Sequence, residues 1–188
     1  MRPDKGYMNH FMLDLETLGT SAGGVVLSIG ACRFDPYQVG VHGPYFHETI
    51  RVKTSLKAGL VVDGDTLKFW LEQGEEARKA AFLGQYSLHE ALEHFNAWLR
   101  EFGDPKELAV WGNGATFDNA ILRAAYSAAG ITPAWHFRGD KCYRTVINLL
   151  PKDRAPAWER IGVHHNALDD AITQAVYLQK VYKELGLA

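Results

Sequence analysis

The sequence predicts an α/β domain whose sheet opens with antiparallel strands and is flanked by helices. Two observations carry this prediction. Three extended apolar runs follow one another over residues 10–52 with short connections between them. From Asp65 onward, apolar residues recur at helical spacing, interrupted by one short apolar strand at 108–111.

The first run is the stretch 10–17. Phe11, Leu13 and Leu15 alternate with Met12, Asp14 and Glu16, so a strand here carries one carboxylate within an otherwise apolar segment and a second at its end. An ionised carboxylate in such a place needs a cation, several backbone donors or a metal ion, unless it simply points to solvent. Gly19, Gly23 and Gly24 with Thr20 and Ser21 form a loop. Residues 25–34 are apolar and β-branched, the pattern of a buried strand, and 44–52 supply a third, giving an antiparallel meander.

Leu67, Trp70 and Leu71, then Ala77, Ala80 and Ala81, fall at helical spacing with a break at Gly74. Ser87 and Glu90 form a capping box ahead of the stripe Leu88, Ala91, Leu92, Phe95, Trp98, Leu99 and Phe102, which Gly103 ends. After the strand at 108–111 come Gly112-Asn113-Gly114 and a helix over 116–129 closed by Gly130. Asp118 lies in that helix's first turn, where the helix dipole alone favours an acid. Residues 135–137 read as a further strand, 141–150 as a helix, 151–156 as a loop and 167–185 as a long last helix with Gly186 at its cap.

The phase of that last helix separates two adjacent acids. Asp169 aligns with Thr173, Lys180 and Glu184, a solvated stripe, whereas Asp170 aligns with Ala167, Gln174, Tyr177 and Val181 at the edge of the buried face. Asp170 is therefore the acid that faces protein, with His165 five residues before it.

A chain of 188 residues, 47% apolar and 12% aromatic, suits one globular domain spanning 1–188. It has no run of 18 apolar residues, and the charged start Met1-Arg2-Pro3-Asp4-Lys5-Gly6 has no apolar segment behind it, so the expectation is a soluble protein of the cytoplasm with no membrane partner. Cys32 and Cys142 show neither metal-ligand spacing nor disulfide density and read as buried thiols in a reducing compartment. A net charge of −2 argues against coating long nucleic acid, but not against gripping a few nucleotides. Between Arg138 and Arg160 there are six Lys or Arg against three Asp or Glu, the one clearly basic neighbourhood.

Strand ends and helix N-termini in such a fold converge on one crevice, where the acidic strand, Asp118 and Asp170 would meet. Four carboxylates in one place repel unless divalent cations hold them, and ligation by oxygen alone suits Mg²⁺ or Mn²⁺ rather than zinc.

Asp14-x-Glu16-Thr17, then Asn113-x-x-x-Phe117-Asp118, then His165-x-Ala167-x-x-Asp170-Ala171 resemble, in order and spacing, the three motifs of the histidine-containing DEDD (DEDDh, DnaQ-like) 3′-to-5′ exonucleases. The segments from Thr66 to Gln73, with Phe69-Trp70, and from Leu108 to Leu122 are similar to a narrower branch of phage-type 3′-to-5′ exonucleases and mycobacterial RNase AS-like exoribonucleases. The resemblance covers nearly the whole chain. It implies a ribonuclease H-like fold with a mixed five-stranded sheet. It also implies two divalent ions, Mg²⁺ or Mn²⁺, held by Asp14, Glu16, Asp118 and Asp170, with His165 as general base, and release of nucleoside 5′-monophosphates from a single-stranded 3′ end.

By the same resemblance Thr17 and Leu18 would meet the terminal nucleotide and Trp70 would stack on a base, against the plain alternative that Trp70 is core. Asn113 and Phe117 would shape the pocket, Arg144, with Arg138 and Lys141, would meet upstream phosphates, and a homodimer is a common assembly. RNA is the expected substrate. A single-stranded DNA exonuclease of repair or phage metabolism is the alternative within the enzyme class, and a catalytically silent nucleic-acid-binding module the alternative outside it.

Overall fold

The computed structural model describes residues 9–114 and 116–188. The charged start at 1–6 and Ala115 of the second motif lie outside them. The chain runs β1 (His10–Thr17), β2 (Val26–Phe34), β3 (Val41–Thr49), α1 (Val52–Lys57), α2 (Gly64–Glu72), α3 (Glu75–Ala81), α4 (Leu88–Arg100), β4 (Ala109–Gly112), α5 (Asp118–Ala129), β5 (Asp140–Cys142), α6 (Tyr143–Ile147) and α7 (Ala167–Glu184).

The strands form one five-stranded sheet in the order β3-β2-β1-β4-β5. β1 pairs antiparallel with β2 and parallel with β4, so the acidic strand lies at the centre. Its alternation divides two cores. Phe11, Leu13 and Leu15 pack with α4 and α5 on one face, where Phe46, Phe95 and Trp98 join them. Met12 faces the other way, into a smaller core with Cys32, Phe34, Trp111 and the α7 residues Ala171, Ala175 and Leu178. Asp14 and Glu16 share Met12's parity and so emerge on the α7 side, beyond the end of that core.

Gly30 fixes how α7 crosses the sheet. It is the cross-strand partner of Asp14, and a Cβ there would fall on the backbone of Ala167 and Leu168. With no side chain between, the first turn of α7 rests directly on β2, one strand away from Asp14. Gly112 plays a similar part for α5, since a Cβ there would meet Asn119 and Asp118.

Three expectations change. The fifth strand is Asp140–Cys142, not 135–137: Trp135 is buried, its indole N–H donates 2.7 Å to Asp140 Oδ1, and β5 pairs with β4 through Val110–Asp140 and Trp111–Lys141. The helix expected over 141–150 is accordingly the short α6, begun after Cys142. The stripe of α7 expected to face water is covered by the 159–163 segment. There Ile161 N donates to Thr173 Oγ1 at 3.1 Å, Val163 N to Asp169 Oδ2 at 2.7 Å, and Lys180 pairs with Glu159 at 2.8 Å. Thr173, Lys180 and Asp169 are polar because they hold a loop, which helical phase alone does not distinguish from hydration.

No helix of the described residues is long and apolar enough to cross a membrane. Cys32 is buried as expected, whereas Cys142 is only half-buried, its Sγ accepting from Thr145 N at 3.4 Å at the start of α6.

Candidate active site

Three elements gather four carboxylates and a histidine: Asp14, Glu16, Asp170 and His165 line one cleft of about 680 Å³, while Asp118 is buried behind its lining, near enough for its charge to raise Asp14. β1 supplies Asp14 and Glu16 at its C-terminal end. The β1–β2 register shifts between Glu16 and Thr17, a bulge of the kind that re-aims a side chain. Asp14 is held by Gln174 of α7, whose Nε2 donates to Asp14 Oδ1 at 2.8 Å. The N-terminus of α5 supplies Asp118, 1% exposed, whose Oδ2 accepts from Gly114 N at 3.1 Å while Oδ1 is buried with no hydrogen-bond partner among the described residues. α7 supplies Asp170, whose Oδ2 accepts from His165 N at 3.2 Å and whose Oδ1 accepts from the Arg160 guanidinium.

His165 sits just before α7 with φ of 61°, a left-handed conformation uncommon for a side-chain-bearing residue. The N-cap Asn166 accepts from Leu168 N and Asp169 N and starts the helix immediately after it. The imidazole rests edge-on against Phe69 with 5.1 Å between centroids and against Trp70 at 5.9 Å, with His164 tilted over it at 3.8 Å. Ligand atoms of Glu16, His165 and Asp170 all lie within 4.8 Å of one another.

Burial and mutual repulsion dominate the electrostatics. Burial pushes Asp14 well above the usual carboxylate range, reinforced by the charges of Asp118, Glu16 and Asp170. Glu16 is pushed up to about 8, first by burial and then by Asp170 and Asp118, with Arg160 opposing. Burial raises Asp118 to about 6 against the lowering effect of the Gly114 N–H. His165 is lowered by burial and by His164, so it is a neutral proton acceptor near neutral pH. A cluster of acidic oxygens that cannot all ionise unaided, with an orphaned buried oxygen on Asp118, fits hard divalent cations.

Of the residues expected to meet substrate, Thr17, Trp70, Asn113 and Phe117 line the cleft. Leu18 does not: it is 3% exposed and packs into the larger core, so it has no surface to wedge against a base. Trp70 is 2% exposed, and its indole N–H donates 2.8 Å to Thr17 O. It buttresses the end of β1 and has no free face for stacking. The exposed aromatics of the cleft are its neighbour Phe69, 40% exposed, and Trp158, 50% exposed. Arg144 stands outside the cleft lining, its backbone N donating 3.1 Å to Asn113 O.

Sequence reasoning passed over Phe69, Trp158, Arg160 and Gln174, all of which line the cleft. Gln174 was within reach, lying one helical turn from Asp170 on the same edge of α7. Arg160 belongs to the basic neighbourhood but carries no motif of its own.

The chain matches the 3′-5′ exoribonuclease Rv2179c-like domain over residues 9–182. An exodeoxyribonuclease of Enterobacteria phage T4 is 28% identical over 123 residues, covering 61% of this chain and 54% of its own. The chain thus spans about half the length of that relative. Among solved structures, cell-death related nuclease 4 superposes with a TM-score of 0.64 at 16% identity, covering 97% of this chain and 67% of that one. The nuclease domain of 3′hExo, a DEDDh family member bound to rAMP, gives 0.62 at 10% identity, covering 93% and 91%. The fold is that of the DEDDh exonucleases, with the mixed sheet expected of a ribonuclease H-like domain. With the family match spanning all but the ends of the chain, the protein belongs to the Rv2179c-like family of 3′-5′ exoribonuclease domains.

Proposed function

We propose that this protein is a metal-dependent exonuclease that removes nucleotides one at a time from the 3′ end of single-stranded RNA, releasing nucleoside 5′-monophosphates. The observation that carries the reading is the convergence of Asp14, Glu16, Asp118 and Asp170 beside the neutral imidazole of His165. In it the four carboxylates would hold two divalent ions, Mg²⁺ or Mn²⁺. When bound, such ions neutralise the acids and stabilise charge on the attacking and departing oxygens of an in-line displacement. His165 accepts the proton of the attacking water, a role suited to a side chain that stays neutral near pH 7. Gln174 orients Asp14. Thr17 lines the cleft beside the acids, and Phe69 offers its exposed ring to a base, a contact worth about 1 to 3 kcal/mol. Asn113 and Phe117 shape the wall, and Arg144, outside the cleft lining but bonded through its backbone to Asn113, would meet an upstream phosphate.

RNA is favoured by the family's description and by the relatives whose structures carry rAMP or a histone mRNA stem-loop. The phage exodeoxyribonuclease favours DNA as the second reading. Cys32 and Cys142, which form no disulfide, suit the reducing cytoplasm, and a homodimer is the assembly we expect. Matched 3′-tailed RNA and DNA oligomers, incubated with Mg²⁺, Mn²⁺ or chelator and followed by product identification, test the proposal. Stepwise shortening of RNA to 5′-monophosphates supports it, and metal-independent or endonucleolytic cleavage overturns it.

A further inference from the structure

Arg160 is the one Lys or Arg among the described residues lining the cleft, where Asp14, Glu16, Asp63, Asp65 and Asp170 supply negative charge. Its guanidinium is paired with Asp170 Oδ1, and its charge also reaches Glu16, whose carboxyl it draws down. The backbone around it is pinned to α7. Glu159 pairs with Lys180, Ile161 N donates to Thr173 and Val163 N to Asp169. Gly162, at φ of 71°, presses against the Asp169 carboxylate. The segment is thus fixed, while the Arg160 side chain, 31% exposed and already lining the cleft, is held among the described residues by its tip on Asp170.

Asp170 Oδ1 cannot serve both Arg160 and a cation, and charge counting says where the guanidinium goes. At the metal centre itself four carboxylates and two divalent ions sum to zero, so Arg160, once displaced from Asp170, has no carboxylate there left to neutralise it; Asp63 and Asp65 belong to the start of α2, where Asp63 Oδ1 accepts from Thr66 N at 2.9 Å. A phosphodiester brings one negative charge, and the planar guanidinium fork matches two of its oxygens. We propose that Arg160 is a metal-gated phosphate ligand: without metal it caps Asp170, and metal binding frees it to grip the phosphate of the 3′-terminal nucleotide. The inference rests on the metal-dependent reading above and adds a residue and a sequence of events to it.

The test follows the Arg160 Nε–H resonance by nuclear magnetic resonance, assigned by its absence in Arg160→Lys, with Ca²⁺ as the metal and adenosine 5′-monophosphate or adenosine as the ligand. Ca²⁺ alone should move the resonance to the position it holds in metal-free Asp170→Asn, the monophosphate should move it again, and adenosine should not. In calorimetry, Arg160→Gln should bind Ca²⁺ about three- to tenfold more tightly, as expected for loss of a competing, partly exposed ion pair. The metal-loaded variant should bind the monophosphate about 10- to 100-fold more weakly and adenosine unchanged. A resonance unmoved by Ca²⁺, or unchanged monophosphate affinity in metal-loaded Arg160→Gln, overturns the inference while leaving the metal site intact. If the wild-type protein binds no divalent cation, the reading beneath it falls as well.

Discussion

Under the proposed function, single residues divide into those that do chemistry and those that hold them, and the two groups should give different signatures when changed. Asp14→Asn removes a ligand charge from the centre of the sheet while keeping its shape. We expect turnover to vanish with the thermal midpoint unchanged or raised, since a buried repulsive carboxylate is gone; retained activity would refute the site. Gln174→Ala leaves every ligand in place but loosens Asp14, and should weaken divalent-ion binding by about 10- to 100-fold, as loss of a residue that orients a metal ligand does. Phe69 and Trp70 separate by the same logic. Phe69→Ala should raise KM for an oligonucleotide with little change in stability, whereas Trp70→Ala, which empties a buried site against Phe82 and Thr17, should cost about 3 to 5 kcal/mol. Equal loss of stability in the two variants, read by denaturant melts, would reverse the assignment.

Which of these residues were legible in the sequence has a physical explanation. Asp14, Glu16 and Asp118 stand out because a charge in an apolar strand or at a helix start follows simple geometric rules, and helical phase chose Asp170 over Asp169. For Trp70 the resemblance points to a stacking role, and the plain alternative that it is core is the one that holds; Phe69 carries no signal of its own. Leu67 and Leu71 of α2 are 41% and 65% exposed, so apolarity on this short helix does not mark its buried face.

At the scale of elements, the contact between α7 and β2 sets the distance across which the acids act together. A methyl group at Gly30 has nowhere to go, because the atoms it meets are backbone and cannot swing aside. Gly30→Ala should therefore lift the first turn of α7 from the sheet. We expect a large loss of stability, and a loss of metal affinity that exceeds the loss in Gly130→Ala, where a Cβ meets nothing and only the positive φ of a C-cap is strained. Affinity measured on the folded fraction of each variant checks this, and a Gly30→Ala protein that binds metal normally would contradict it.

The element least visible in the sequence was β5. Three residues, Asp140–Cys142, are too few to show a period, and their pairing is decided elsewhere, by Asp140 gathering Asn119, Arg123 and Trp135 around its carboxylate. Long elements with one apolar face, such as α4 and β2, announce themselves; short ones that depend on a distant partner do not.

Across the whole molecule, the raised carboxyls make folding depend on pH in an unusual direction. Glu16 titrates at about 8 and Asp118 at about 6 in the folded protein, both above their usual values, so the folded state holds protons that the unfolded chain has released. Their contribution is present at low pH and lost as pH rises through the folded values. His10, lowered to about 4 by burial, and His165 act oppositely, but only below about pH 6.5, where an unfolded histidine takes up a proton. Between about pH 6.5 and 8 the carboxyls act alone. In chelator the thermal midpoint should fall across this interval, and Mg²⁺ or Mn²⁺ should abolish the fall while releasing protons on binding. A midpoint that rises across the interval in chelator would show the acids to be ionised already.

The order in which the chain supplies its parts has a bearing on synthesis. Asp14, Glu16 and Asp118 are in the growing polypeptide well before His165 and Asp170, which arrive with α7. Until then the sheet face carrying Met12, Cys32, Phe34 and Trp111 lacks the helix that covers it. A nascent chain from which α7 has yet to emerge thus holds neither the full set of candidate site residues nor a covered sheet face.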